Sequence, residues 1–184
     1  PNNKHFAYAN WGIDTDEMDQ FEMSPDSGYV QMEGTREAFL EWYALSANAA
    51  NTNTYEKIRQ LVDIDEYINY MAVEFYLGGT DWPQNNIKFF RHRDNGKFRW
   101  VLYDLENGFG DLGFNHFTNG EYGFNGYKTS DGHTTKLIQG LLKQPEFQTL
   151  LIDQLSICLG SIFLPERFEH LADSIYALIA DELP

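Results

Sequence analysis

Two strand-like runs around a short turn, at the centre of the chain, constrain the fold most strongly. IKFFRHR (87–93) and KFRWVLYDL (97–105) are rich in aromatic and apolar residues and flank Asp94-Asn95-Gly96. A turn of this composition between two such runs is a strong signal for a β-hairpin. The sequence therefore predicts an antiparallel pair of strands at this point.

The turn chemistry determines which residues face each other at the open end of the hairpin. A three-residue loop with Gly96 in the left-handed region sets Asn86 opposite Asp104. Directly opposed side chains have Cβ atoms only about 4.5–5.5 Å apart. A two-residue Asn95-Gly96 turn is the alternative, and it sets Ile87 opposite Asp104 and turns Asn86 to the other face. We favour the three-residue loop, because Asp-Asn-Gly fills its positions well.

The segment DWPQNN (81–86) enters the hairpin directly after two glycines. Asp, Asn, Pro and Gly are turn formers, so a turn with no chemistry is one interpretation. The other is a site, because an Asn86 amide oxygen beside the Asp104 carboxylate suits Mg²⁺ or Mn²⁺ when phosphate oxygens and water complete the shell. Glu106 adds a second carboxylate if the strand continues. Asp81 is placed to accept a proton from a hydroxyl held near the metal.

Helical patterns surround the hairpin. The strongest covers 62–77, where Asp63 and Glu66 have the spacing of a capping box and Gly78 ends the helix. Thr35 is a capping candidate for another helix. Further helices are predicted at 35–48, 51–62, 134–144, 145–163 and 165–183. The fold class is therefore α+β, mostly helical, with one central hairpin.

The remaining segments have no regular pattern. Residues 1–27 are polar and irregular, and we interpret the acidic run 14–20 as solvated. A short strand is predicted at 28–33. Residues 107–133 form a long loop rich in Gly, Asn and aromatic residues, and a loop of this length inside a compact domain is usually functional.

The charge of the chain limits its partners. With 13 Lys and Arg against 28 Asp and Glu, the net charge is −15. A surface this acidic repels nucleic acid and anionic membranes, and it suits divalent cations and basic substrates. We find no apolar run long enough for membrane insertion. Cys158 is the single cysteine, so the chain has no internal disulfide.

The spacing from Asp81 to Asn86, followed by a hairpin and Asp104, is the phosphoryl-transfer arrangement of protein kinases. At these residues the chain resembles the CotH kinase family, the secreted, spore-coat-associated atypical protein kinases. The resemblance covers roughly residues 60–184. It is carried by VDIDEYINYMAVEFYL (62–77), GTDWPQNN (79–86) and GKFRWVLYDLENGFG (96–110), with weaker agreement at LLKQPEFQTLLIDQL (141–155) and LPERFEHLADSIYALIADELP (164–184).

The resemblance implies a protein-kinase-like C-terminal lobe whose hairpin carries the active-site residues. It implies transfer of the ATP γ-phosphate to a Ser or Thr of a protein substrate, and it favours secretion or the cell surface. By motif position, Asp81 resembles the catalytic Asp, and Asn86 and Asp104 resemble the ligands of Mg²⁺ or Mn²⁺. Family members generally carry Asp at position 106, where this chain has Glu106, so a metal role there is less direct.

Two departures from the kinase pattern shape the remaining expectations. Pro83 stands where protein kinases carry a catalytic-loop Lys, so the candidates for binding phosphate are Lys88, Arg91 and cations of the part of the protein expected outside this chain. Residues 1–59 contain no Gly-rich phosphate loop, so we interpret them as a connecting segment with one or two helices and 60–184 as the C-terminal lobe.

A nucleotide lobe is therefore expected outside this chain, and the chain alone is expected to be inactive. The alternative function is a non-catalytic cell-surface or coat module that keeps the fold. The sequence leaves the substrate and the oligomeric state open.

Overall fold

The computed structural model describes residues 4–111, 113–118 and 135–180, with side chains from Phe6 onward. This part of the chain forms α-helices around one four-stranded antiparallel sheet. The helices are α1 (Lys4–Trp11), α2 (Glu37–Leu45), α3 (Thr52–Leu61), α4 (Ile64–Leu77), α5 (Lys136–Leu141), α6 (Pro145–Ile157) and α7 (Pro165–Ile179). The strands are β1 (Met18–Ser24), β2 (Gly28–Glu33), β3 (Lys88–His92) and β4 (Arg99–Val101). The predicted α+β class, mostly helical, is confirmed at this level.

The sheet contains more of the chain than the central hairpin. Its strand order is β2-β1-β3-β4, so β1 lies between β2 and β3. The prediction that residues 1–27 are irregular is therefore wrong, although the strand predicted at 28–33 is β2. The acidic run is not solvated throughout either, because Asp19 is fully buried. Arg91 and Arg93 neutralise its carboxylate, which explains how an acidic residue occupies an inner strand.

The hairpin forms, but both predicted registers are wrong by at least one residue. The three-residue loop would set Phe90 opposite Trp100, whereas the ladder sets Phe90 opposite Arg99 and Phe89 opposite Trp100. The turn is longer than expected, with the Gly96 N–H donating to the His92 carbonyl at 2.9 Å.

The physical reason for this register lies outside the hairpin. Phe98 leaves the ladder and forms a parallel bridge with Val62 at the junction of α3 and α4. Its N–H donates to the Leu61 carbonyl at 2.8 Å, and its carbonyl accepts from the Asp63 N–H at 3.0 Å. The backbone of Phe98 is therefore satisfied by the helix junction instead of by β3.

The sheet packs on both faces. The larger core lies between one face and the helices, and it stacks Phe89 between Phe21 and Trp100 with ring centroids 5.4 and 5.1 Å away. The other face carries a smaller cluster, in which Phe90 packs with Met18. Neighbouring residues of one strand thus face opposite cores, as the two-residue period of a strand requires.

Helix α4 begins and ends where the sequence predicts. The Asp63 side chain accepts from the Glu66 N–H, and Gly78 closes the helix in the left-handed conformation at φ +62°. The Glu66 carboxylate does not complete a capping box, because it accepts instead from the Trp100 N–H at 3.0 Å. This bond fastens β4 to α4. Thr35 does not cap α2 either, since its N–H and hydroxyl both donate to Asp19.

The C-terminal helices begin at Pro145 and Pro165, as predicted, and a π-helical segment, Cys158–Ile162, joins them. Cys158 is buried, and the described residues contain no disulfide. No single described helix has the length and apolarity needed to cross a membrane. The pair Pro145–Ile162 and Pro165–Ile179, bent by 60°, meets that test only jointly and only by length and composition.

Two predictions about organisation are left open. Most of the loop predicted at 107–133, namely residues 112 and 119–133, lies outside the described residues. The boundary predicted near residue 60 stays a prediction, although the sheet draws strands from both sides of it.

Candidate active site

The candidate site is built on the loop that follows α4. The left-handed Gly78 turns the chain away from the helix axis, and residues 79–86 lead to β3. Trp82 is 4% exposed and anchors this loop, because its indole Nε1 donates to the Tyr70 hydroxyl at 2.8 Å. The Trp82–Pro83 peptide bond is cis. The Trp82 side chain therefore fastens the loop to α4, and Asp81 is the residue directly before Trp82.

The Asp81 carboxylate is held by two side-chain amides. Its Oδ2 accepts from Asn86 Nδ2 at 2.7 Å and from Asn107 Nδ2 at 2.8 Å. Asn86 is 5% exposed, whereas Asp81 is half-buried. Two donors on one oxygen fix the orientation of the carboxylate.

Asn86 and Asp104 meet, but not as a strand pair. The ladder ends at Lys88 and Val101, so neither residue is part of it. Instead, Asn86 Nδ2 donates to the Asp104 backbone carbonyl at 3.4 Å. Both residues have positive φ, +57° for Asn86 and +58° for Asp104. Asn and Asp tolerate this conformation better than most residues, and such backbone positions concentrate at functional sites.

These residues surround a small cavity beneath the loop. Asp81, Asn86 and Asp104 line it together with Glu74 of α4. The other lining residues are Leu77, Gly79, Trp82, Leu105 and Gly108. The structure therefore brings three of the predicted site residues to one place.

The remaining predicted site residues lie elsewhere. Glu106 is exposed and does not line the cavity. Lys88 Nζ lies 3.1 Å from Glu22 Oε2 and 4.9 Å from the ring centroid of Tyr103. Arg91 is bound to the buried Asp19 at 2.8 Å. Both cations thus have carboxylate partners within the sheet.

Two residues of the site, Asn107 and Glu74, are not predicted from the sequence. Asn107 gives no signal of its own, because an Asn before a Gly is an ordinary turn pair. Glu74 does give one: with Tyr67, Tyr70 and Met71 it falls on the buried face of α4, where an acidic residue is unexpected. Burial raises the pKa of Glu74 to about 8, and the nearby charge of Asp81 adds to the rise.

His116 packs against the same loop. Its ring lies edge-on to that of Trp82, with centroids 4.8 Å apart, and the side chain is 1% exposed. Burial lowers the pKa of His116 to about 4, so the ring is neutral at pH 7. It serves as packing behind Trp82.

The donor set suits a divalent cation only in part. Within the described ranges, no three His, Cys, Asp or Glu side chains come close enough together to hold a metal ion by themselves. Asn86 and Asp104 offer hard oxygen ligands, which Mg²⁺ accepts when phosphate and water supply the others. The residues present therefore fit a cation that arrives with a nucleotide, and not a site built from protein ligands alone.

Comparison with known proteins gives one match. The family model described as CotH kinase protein matches residues 7–184. No curated protein and no solved structure matches the chain.

Proposed function

This chain belongs to the CotH kinase family, and on that premise we propose that its site transfers the γ-phosphate of ATP to a Ser or Thr hydroxyl of a protein substrate. The observation that carries the proposal is the Asp81 carboxylate, oriented by two amides at the edge of a cavity that Asp104 also lines. Kinase-like chemistry follows from the family. ATP as the phosphate donor, Ser or Thr as the acceptor and a divalent cation as the cofactor are the parts that we propose.

Asp81 acts on the hydroxyl of the substrate. Asn86 and Asn107 occupy its Oδ2, which leaves Oδ1 to accept a hydrogen bond from the hydroxyl. As the hydroxyl oxygen bonds to the γ-phosphorus, the bond to the bridging oxygen of ADP breaks and the hydroxyl proton passes to Asp81. Orientation of the nucleophile by a fixed carboxylate is the contribution that kinase catalysis requires at this position.

Asn86 and Asp104 are the residues we assign to the divalent cation. When bound, Mg²⁺ or Mn²⁺ neutralises the charge that develops on the phosphate oxygens. The amide nitrogen of Asn86 is engaged by Asp81, so its Oδ1 is the atom available as a ligand. Glu106 is exposed, so we assign it no direct bond to the cation.

Lys88 is the stronger of the two candidates for phosphate. Its partner Glu22 keeps a side-chain exposure of 33%, so that ion pair can exchange with solvent or a ligand. Arg91 is bound to an Asp19 side chain that is 0% exposed, and releasing it would leave a buried charge unpaired. We therefore assign Arg91 a structural role and keep Lys88 for phosphate.

The test is phosphate transfer from labelled ATP by the full-length protein, with Mn²⁺ or Mg²⁺ and a panel of Ser- and Thr-containing proteins. Asp81→Asn and Asp104→Asn are each expected to lower the rate at least about 100-fold. Asp94→Asn, which changes an exposed carboxylate in the hairpin turn, is the matched control and should match wild type. If wild type transfers no more phosphate than Asp81→Asn, the kinase proposal fails and the non-catalytic cell-surface or coat module replaces it.

A further inference from the structure

A second cavity lies at the turn end of the hairpin, and none of the described residues lines both this cavity and the one around Asp81. We call it the hairpin cleft. Its walls include Trp11 at the end of α1, Asp63 at the junction of α3 and α4, and Asn95 in the turn. Its volume of about 420 Å³ falls within the range of small-molecule and side-chain binding clefts.

The hairpin cleft concentrates positive charge in an acidic chain. Three of the 13 Lys and Arg residues line it, namely Arg91, Lys97 and Arg99. Asp63 is the one carboxylate among the described residues that line it, and His92, also in the wall, has Nε2 3.5 Å from Glu17 Oε2. At physiological ionic strength, charges more than about 8 Å apart are largely screened. The local excess of cations, and not the net charge of the chain, therefore decides which ligand the cleft attracts.

The cationic side chains of the cleft keep N–H groups that no described residue accepts. Lys97 is exposed and forms no ion pair with the described part of the chain. Arg99 donates from Nε at 3.0 Å and from Nη2 at 2.9 Å to Asp63 Oδ2, and its Nη1 is not bound. Arg91 likewise places Nε and Nη2 on Asp19 and keeps Nη1. Both guanidinium groups are thus held in position by carboxylates, which lowers the entropic cost of binding an anion.

An apolar wall lies beside these donors. It consists of Trp11, Ile13 and Phe90. The rings of Trp11 and Phe90 have centroids 4.8 Å apart and are inclined at 55°, and Trp11 remains 38% exposed. Two inclined rings form a corner instead of a flat platform, so the wall suits an aliphatic side chain better than a stacked nucleotide base.

We propose that the hairpin cleft binds a phosphorylated Ser or Thr side chain of a protein segment, with an apolar neighbour of that residue packed on Trp11. The terminal oxygens of the phosphate accept hydrogen bonds from Lys97 and from the unbound nitrogens of Arg91 and Arg99. A carboxylate has fewer oxygens and less charge, so it satisfies this set of donors less well. The inference goes beyond the proposed function, because the cleft retains a phosphorylated protein and takes no part in phosphate transfer.

Fluorescence anisotropy of labelled peptides measures this binding. The probe is a short peptide with one phosphoserine between two leucines, and it is compared with the same peptide carrying Ser or Glu at that position. The phosphoserine peptide should bind at least about tenfold more tightly than either of the others. Equal affinities for the three peptides would overturn the proposal. Displacement of the peptide by an equal concentration of inorganic phosphate would also overturn it, because the apolar wall would then contribute nothing.

Substitution of Lys97 tests whether the cleft is responsible. Lys97→Gln should weaken binding of the phosphoserine peptide at least about fivefold, whereas Lys97→Arg should retain it. Because Lys97 is exposed, both variants should melt at the wild-type temperature. Lys143→Gln, at another exposed lysine between α5 and α6, is the matched control and should bind as wild type does. Wild-type affinity in Lys97→Gln would overturn the proposal.

The indole N–H signals in NMR spectra show where the peptide binds. The phosphoserine peptide should shift the Trp11 signal and leave that of Trp82, in the loop of the candidate active site, unchanged. A shift of Trp82 alone would place the peptide at the other cavity and overturn the proposal. An equal shift of Trp11 with AMP would overturn it in favour of a nucleotide. None of these results requires phosphate transfer, so the kinase proposal and this inference fail separately.

Discussion

Substitution of Asp19 tests whether the N-terminal strands belong to the fold that supports the site. Asp19 is fully buried in β1, and its carboxylate accepts from the Thr35 N–H at 2.8 Å, from Arg91 Nε at 2.8 Å and from Arg93 Nε at 3.1 Å. Asp19→Ala leaves two guanidinium groups side by side without their counter-charge. Breaking a buried ion pair in this way costs about 3–5 kcal/mol in the free energy of unfolding.

Urea unfolding measures this loss. Asp19→Ala should lower the midpoint with little change in the slope, because the surface exposed on unfolding stays similar. Asp16→Asn, an exposed carboxylate just before β1, is the control and should stay within about 0.5 kcal/mol of wild type. A loss for Asp19→Ala as small as that of the control would refute the assignment of β1 to the core.

The stabilisation that Asp19 provides also depends on pH. Burial raises the pKa of Asp19, but the Thr35 N–H and the two guanidinium groups outweigh it, so the net pKa is lowered below 3.8. A lowered pKa means that the stabilisation is present above pH 3.8 and is lost as the pH falls through the folded-state value. Asp19→Asn should therefore flatten the acid end of the stability curve.

Two further predictions concern elements that support the site. Gly140→Ala in α5 should lower the free energy of unfolding by about 1–3 kcal/mol, because a Cβ there would overlap the Ser46 carbonyl oxygen, whereas Gly160→Ala has open space and should be neutral or stabilising in the same thermal melts. Equal melting temperatures for the two variants would contradict this packing. Burial raises the pKa of Glu66 to about 7, so its stabilising contribution is lost as the pH rises from about 4.5 through 7. Glu66→Gln should then gain about 1–3 kcal/mol in the free energy of unfolding relative to wild type between pH 5 and pH 8. A pH-independent difference would count against a half-buried, protonated Glu66.

Local signals were sufficient for the helix that leads into the site. Asp63 and Gly78 bound α4 as predicted, because a cap acts on backbone groups within three or four residues of itself. The contact between Asp81 and Asn86 also joins residues only five apart, although the sequence predicted Asn86 as a metal ligand and not as a donor to Asp81. The sequence also brought Asp104 to the same place, although through a register that the structure does not have.

Long-range contacts account for what the sequence did not reveal. The register of the hairpin depends on Phe98 and the junction near Val62, and no rule about the turn includes that contact. The sequence does not predict strand β1, because an Asp such as Asp19 is typical of the surface. Its burial depends on Arg91, which lies 72 positions away in the sequence. Asn107 reaches Asp81 from 26 positions away, again by a fold-dependent contact.

The most direct test of the central claim is paramagnetic broadening by Mn²⁺ in the presence of ATP. If Asn86 and Asp104 hold the cation on the phosphates beside Asp81, the side-chain amide signals of Asn86 and Asn107 and the indole signal of Trp82 should broaden together. Trp11, which lies beside the turn at the opposite end of the hairpin, should stay sharp. Asp104→Asn should abolish the selective broadening. Broadening spread evenly over the acidic surface, or confined to residues away from this cavity, would contradict the account.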